Sequence, residues 1–215
     1  MYVEFAIIDT DTTDKDAKQL LSEVATYNVD SIVVPYHLLK AAKSFKKSKI
    51  EISCLIDFPM GISDPATRVF AVEQAIKAGA DSIDITMPQN LAANRSYSKI
   101  RDEIKRLKEL CGDKTTIKYI LEYRTFDHKC LKKICEIFDE HEITFAAPST
   151  GFFIDNLADN LIASAFLHQN SKEVNVIATG NAWTEHHFSI LNKSGVFGFR
   201  AFHIECLKRY KVFQS

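Results

Sequence analysis

No apolar run in this 215-residue chain approaches the roughly 18 consecutive residues that a membrane-spanning helix needs, so no membrane partner is expected. The N-terminus reads MYVEFAII and then turns acidic. It has no basic stretch ahead of the apolar one and no small-residue cleavage pattern, so it does not read as a secretion signal and a cytoplasmic location is expected. Net charge is also lacking: 27 Lys and Arg against 28 Asp and Glu leave a formal −1. Without a clustered basic field to neutralise phosphates, no nucleic-acid partner is expected. The five lysines between Lys40 and Lys49, with Lys46-Lys47 adjacent, read as a solvated face of a helix and its following turn. Cysteine supplies no framework, because Cys54, Cys111, Cys130, Cys135 and Cys206 are odd in number and contain no CxxC pair. The Cys130–Cys135 spacing suits neither a zinc knuckle nor a redox motif, so free thiols in a reducing compartment are expected, with no metal and no other cofactor. Low-complexity segments and linkers are missing too, which leaves one domain spanning 1–215.

What the chain does have is alternation. Hydrophobic residues make up 46% and charged residues 26%, ordinary globular usage, and 15 Phe point to a bulky core. Eight short apolar runs read as strands: Val3 to Ile8, Ser31 to Val34, Ile50 to Ile56, Ser82 to Met87, Thr116 to Leu121, Ile143 to Ala147, Val174 to Ala178 and Val196 to Phe199. They are rich in Ile and Val with little polar alternation, as expected of strands covered on both faces. Helical patterns lie between them. Asp14 to Tyr27 carries Ala17, Leu20, Leu21 and Val24 on one stripe, and Asp64-Pro65 reads as an N-cap with Pro in the first turn of a helix running to Lys77. Tyr97 to Leu110, Asp127 to His141, Asn156 to Gln169 and Thr184 to Lys193 complete the series. Strand and helix alternating eight times predicts an α/β fold, a single (β/α)8 TIM barrel with a parallel closed sheet and outer helices. A doubly wound open sheet is the alternative, and the absence of GxGxxG after the first strand speaks against it.

Several segments, in order and with matching spacing, carry a resemblance. Ile56-Asp57-Phe58-Pro59-Met60-Gly61 ends a strand, and Ala75 to Gly79 leads on to Ala80-Asp81-Ser82-Ile83-Asp84. Ile117-Lys118-Tyr119-Ile120-Leu121-Glu122 forms another strand, and Ser149-Thr150-Gly151-Phe152 and Ala178-Thr179-Gly180 follow. Over residues 14 to 200 the chain resembles the deoxyribose-phosphate aldolase family, with its G-F-P-x-G, G-A-D-E-[IV]-D, V-K-V-I-L-E and K-T-S-T-G-F motifs. The resemblance implies a barrel fold, a small phosphorylated or carbonyl ligand, a homodimer and retro-aldol cleavage of a sugar phosphate. In that reaction a lysine forms a Schiff base with the carbonyl, a second lysine lowers the pKa of the first, and an aspartate moves protons.

The resemblance carries over only in part. The aspartate is Asp84, and the phosphate-gripping backbone keeps Thr150, Gly151 and Gly180, with Asn181 in place of a second glycine. The Schiff-base position is Ala147 and the second lysine position is Ile177, neither of which can form an imine. The family's N-terminal D-H-T falls on Glu4-Phe5-Ala6, and its final G-T-S-S falls on Arg200-Ala201-Phe202-His203.

Candidate site residues follow from strand alternation. Lys118 and Glu122 share one face of the fifth strand, and Asp84 shares a face of the fourth with Ser82 and Thr86. Two readings stand: a buried network that satisfies its own charges, or a relocated site in which Lys118 is the amine nucleophile and Asp84 or Glu122 the acid/base. Arg200, expected at the barrel mouth beside Gly151 and Gly180, reads as a phosphate or carboxylate fork or as a salt bridge at the barrel end. His186-His187 read as an exposed first helical turn, His37 and His203 as residues near strand ends, and Trp183 as a ligand stack or a cap on the barrel. Three functions are compatible with these residues: a diverged carbon–carbon lyase, a non-catalytic homologue that binds or regulates, and an isomerase acting through Asp84 and Glu122.

Overall fold

The structure is a computed structural model that describes residues 1–45, 49–153 and 156–215; Lys46-Lys47 lie outside the described residues. Among these residues eight strands close into a parallel barrel in sequence order, β1 pairing with β8. The strands are β1 (Tyr2–Ala6), β2 (Ser31–Pro35), β3 (Glu51–Ile56), β4 (Ser82–Thr86), β5 (Thr116–Ile120), β6 (Phe145–Ala147), β7 (Asn175–Thr179) and β8 (Gly198–Ala201). Around them run α1 (Asp14–Val24), α2 (Leu39–Phe45), α3 (Pro65–Lys77), α4 (Gln89–Ala93), α5 (Tyr97–Cys111), α6 (His128–Glu140), α7 (Leu157–Asn170), α8 (Glu185–Lys193) and α9 (Ile204–Gln214). The expected strands all form, each within about two residues of its anticipated bounds. The short α4 and the C-terminal α9 were not among the expected helices.

Local signals explain where helices begin. Thr13 and Asp16 make a reciprocal capping box at α1. Asp64 accepts from the Ala66 and Thr67 amides at α3, with Pro65 in the first turn. Asp127, Asn156 and Thr184 cap α6, α7 and α8 in the same way.

Alternation along the strands divides the apolar side chains. Phe5, Ile32, Ile52, Ile83, Tyr119, Val176 and Phe199 point outward into the main core beneath the helices. On α6 the buried stripe Cys130, Ile134, Ile137 and Phe138 meets this layer, with the Phe138 and Tyr119 rings 5.1 Å apart. Each such fully buried side chain contributes roughly 1.5–3 kcal/mol. All five cysteines are buried and none is in a disulfide among the described residues; burial pushes the Cys111 thiol to about 11 and the Cys54 and Cys135 thiols to about 12, so these three are poor nucleophiles.

One polar network crosses the helical layer. The Arg68 guanidinium on α3 is buried and donates to Asp57, to Glu103 on α5 (3.0 Å) and to the Thr86 carbonyl (2.7 Å). Asp57, at φ +52°, also accepts from the Ser63 hydroxyl (2.7 Å). The loop leaving β3 is thereby tied to α3, β4 and α5, on the side of the barrel that carries the strand C-termini.

Candidate functional site

The inward faces of the strands build a layer of charge in the middle of the barrel. Glu4 on β1 is opposite Arg200 on β8, and Asp84 on β4 is opposite Lys118 on β5. Lys118 ion-pairs with Glu4 and, at 3.1 Å, with Asp84. Arg200 Nε donates to Glu4 at 2.8 Å, and its Nη2 reaches both Glu4 and Asp84. The Ser53 hydroxyl donates to the second oxygen of Asp84. Glu4 and Asp84 are fully buried and Lys118 and Arg200 nearly so, and the four charges cancel. Burial alone pulls the Lys118 amine down, but the carboxylates of Asp84 and Glu4 outweigh it and hold its pKa above the ordinary lysine value. Burial likewise pushes Asp84 up, and Arg200 and Lys118 outweigh that and hold its carboxyl below the usual range.

Above this layer, toward the strand C-termini, the interior turns apolar. Ala6, Val33, Leu55, Ile120, Ala147 and Phe202 form a separate buried cluster, with Ile8 and Phe58 packed on it. Phe202 lies against the Gly151 backbone so closely that a Cβ on Gly151, whose φ is +74°, would come within 2.2 Å of the ring. Asn181 fixes that placement: its Oδ1 accepts from the backbone N–H groups of Phe202 (3.1 Å) and His203 (3.3 Å). Beside Gly180 (φ +109°), the residue that stands where a second glycine would be thus holds an aromatic plug over Gly151.

The expected residues fall into separate groups. Asp84, Lys118 and Arg200 come together, but Arg200 is not at the mouth: it is 1% exposed and engaged with two carboxylates in the interior. Glu122 does not join them. It follows β5 in the left-handed region (φ +51°), and its buried carboxylate accepts the Thr150 backbone N–H. Ser149, Thr179 and the side-chain oxygen of Asn160 form a third cluster, with contacts of 2.6–2.8 Å. The Trp183 ring stacks on His203 at 5.7 Å, its backbone N–H donates to Nδ1 of His187, and its backbone carbonyl accepts from Arg209. Among the described residues no three His, Cys, Asp or Glu side chains are grouped to hold a metal ion, and no helix is long and apolar enough to cross a membrane.

Glu4 and Ser53 escaped the sequence reading. The available signal for Glu4 was charge balance, since two cations facing a barrel interior call for two anions.

A family model described as DeoC/LacD family aldolase matches residues 5–151. The chain belongs to the DeoC/LacD aldolase family. Among its relatives, the deoxyribose-phosphate aldolase of Clostridioides difficile (strain 630) is 36% identical over 149 residues, covering 69% of this chain and 68% of that protein. The deoxyribose-phosphate aldolase of Streptococcus suis (strain 98HAH33) is 31% identical over 154 residues, 70% of this chain and 69% of its own. Two solved structures share the fold. One, an aldolase designated QR15, has TM-score 0.88 at 20% identity, covering 99% of this chain and 94% of its own. The other, the tetrameric deoxyribose phosphate aldolase of Aeropyrum pernix, has TM-score 0.80 at 17% identity and covers 99% and 89%. The DeoC/LacD match ends at Gly151. Ile177, Asn181, Trp183, Arg200 and Phe202 therefore all lie on the C-terminal side of it.

Proposed function

We propose that this chain is a non-catalytic DeoC/LacD member, which keeps the barrel as a rigid scaffold and acts by binding rather than by carbon–carbon cleavage. The observation that carries this reading is the state of Lys118. Its amine is gripped by Glu4 and Asp84 beneath an apolar layer, with a pKa above the ordinary value. Imine formation needs a neutral amine that a carbonyl can reach. Nothing in Ala147 or Ile177 replaces it, and Phe202 fills the space over Gly151 where an anionic group would approach the backbone.

A second reading retains lyase chemistry on a small phosphorylated or carbonyl compound, with Lys118 as nucleophile and Asp84 as proton carrier. The observation in its favour is their 3.1 Å contact. It requires the amine to lose its proton and the apolar layer to part. Borohydride treatment in the presence of 2-deoxyribose 5-phosphate, and separately of acetaldehyde, decides between them. The non-catalytic reading expects an unchanged intact mass while a lysine-containing family aldolase is labelled; a peptide-mapped adduct on Lys118 overturns it.

A further inference from the structure

We propose that the mouth face of the barrel is a docking surface for a protein segment that presents apolar side chains flanked by Lys or Arg. This inference rests on the non-catalytic reading, in which the mouth is free to serve something other than a reacting sugar. Tyr36, Met60, Ile62, Phe152, Phe153 and Trp183 are between 38% and 58% exposed, and all sit on loops that follow strands β2, β3, β6 and β7. Phe58 and Phe152 touch edge to face, ring centroids 6.4 Å apart, so the loops after β3 and β6 meet across the mouth. Phe152 in turn meets Phe153 at 5.6 Å, and Trp183 stacks on His203 beyond Phe202. Beneath this surface the interior is already apolar, through Leu55, Ala147 and Phe202. A partner seated here would extend an existing core rather than create a new one. Exposed aromatic and Met side chains gathered on one face mark protein interfaces, and isolated exposed apolar residues do not.

The charge at the edge of this face selects the partner. The loop between β1 and α1 carries Asp9 and Asp11, and α1 opens on Asp14, all three exposed and in no ion pair with another described residue; Lys15 offsets only part of that charge. Because β1 lies between β2 and β8, these carboxylates flank Tyr36 on one side and the Phe202–His203 turn on the other. Arg124, after β5, and Arg209, on α9, are already paired with Asp159 and Glu205. A basic, apolar segment meets this arrangement with complementary charge. A second copy would bring the same carboxylates, and an anionic surface would be repelled.

The chain contains a single tryptophan, Trp183, and it sits on this face, so its fluorescence reports occupancy directly. Two short synthetic amphipathic peptides of equal leucine content, one with lysines and one with glutamates, serve as probes. The Lys/Leu peptide is expected to shift Trp183 emission and to bind at least about tenfold more tightly than the Glu/Leu peptide, with the advantage shrinking as salt rises. Phe152→Ser with Phe153→Ser should weaken it about tenfold or more, whereas Phe70→Ser on the outer face of α3 should not. Asp9→Lys with Asp11→Lys, on an exposed loop, should reverse the preference between the two peptides. Equal binding of both peptides overturns the proposal, as does binding that neither set of variants alters. Sedimentation that shows a dimer dissociated by the Phe152/Phe153 change would assign the face to a second copy and overturn it too. The borohydride experiment on the same protein reads the catalytic question separately, since none of these substitutions touches Lys118, Glu4 or Asp84.

Discussion

Replacing Lys118 with Met removes one of two cations from an interior that holds two carboxylates. The side chain is of similar length and apolar, so the change is chiefly one of charge. Glu4 and Asp84 would then share Arg200 alone, leaving one buried negative charge without a counterpart. Breaking a buried pair from one side costs about 3–5 kcal/mol, because the abandoned ion cannot recover its hydration. For a domain of this size each kcal/mol lowers Tm by about 2–4 °C, so the variant should melt about 6–20 °C below the parent. Coupling Lys118→Met to Glu4→Gln restores the match, one anion to one cation, and should recover at least about half of the loss. Thermal unfolding by circular dichroism, with urea midpoints read from Trp183 fluorescence, measures both. A Lys118→Met protein melting within about 2 °C of the parent would refute the reasoning, and so would a double variant no more stable than the single one.

Arg68→Met should be of comparable severity, about 3–5 kcal/mol, because it strands Glu103 and Asp57 and frees the Thr86 carbonyl; hydrogen exchange should show lost protection around the loop leaving β3. Gly151→Ala should cost more than Gly112→Ala: each has a positive φ that strains an L residue by about 1–3 kcal/mol, but only at Gly151 does the new methyl also clash, with Phe202, whereas nothing lies within 4 Å of it at Gly112. Stability should depend on pH at both extremes. Asp84 is depressed in the fold, so its contribution is complete above the unfolded carboxylate value of about 4 and is lost as pH falls through its lower folded value; Lys118 is raised, so its contribution is complete below about 10.4 and is lost as pH rises through its higher folded value. Urea midpoints across this range should form a plateau with both flanks falling.

The barrel was legible because its signals are local. Ile- and Val-rich runs spaced by capped amphipathic stretches give parallel strands and outer helices without reference to anything distant. The site was legible as far as alternation reaches: Asp84 and Lys118 are each on the inward face of neighbouring strands and are paired in register. Alternation cannot say how deep a residue sits. Arg200 was placed at the mouth because it lies near the end of a strand, yet the stagger of β8 against β1 sets it opposite Glu4 in the interior. Glu122 was placed on the Lys118 face because the strand pattern was carried beyond Ile120. The chain leaves the strand there, and a left-handed residue turns the carboxylate to the Thr150 amide instead. The plug was invisible for a third reason: contact between Phe202 and Gly151, and its support by Asn181, joins segments far apart in the chain, and no single-segment pattern encodes it.

Closure through β1 and β8 also has a consequence in time. Glu4 lies on β1 and is made before the other seven strands, and Arg200 lies on β8 and is made after them, yet each is the other's partner in the barrel's interior. A growing chain that has finished β5 holds two inward carboxylates and one lysine, an interior short of a positive charge and open along one seam. The same strand that supplies the missing cation also closes the seam. Synthesis of all eight strands therefore precedes a stable interior, and a product that stops short of β8 should be held by chaperones or degraded, whatever the quality of its first seven strands.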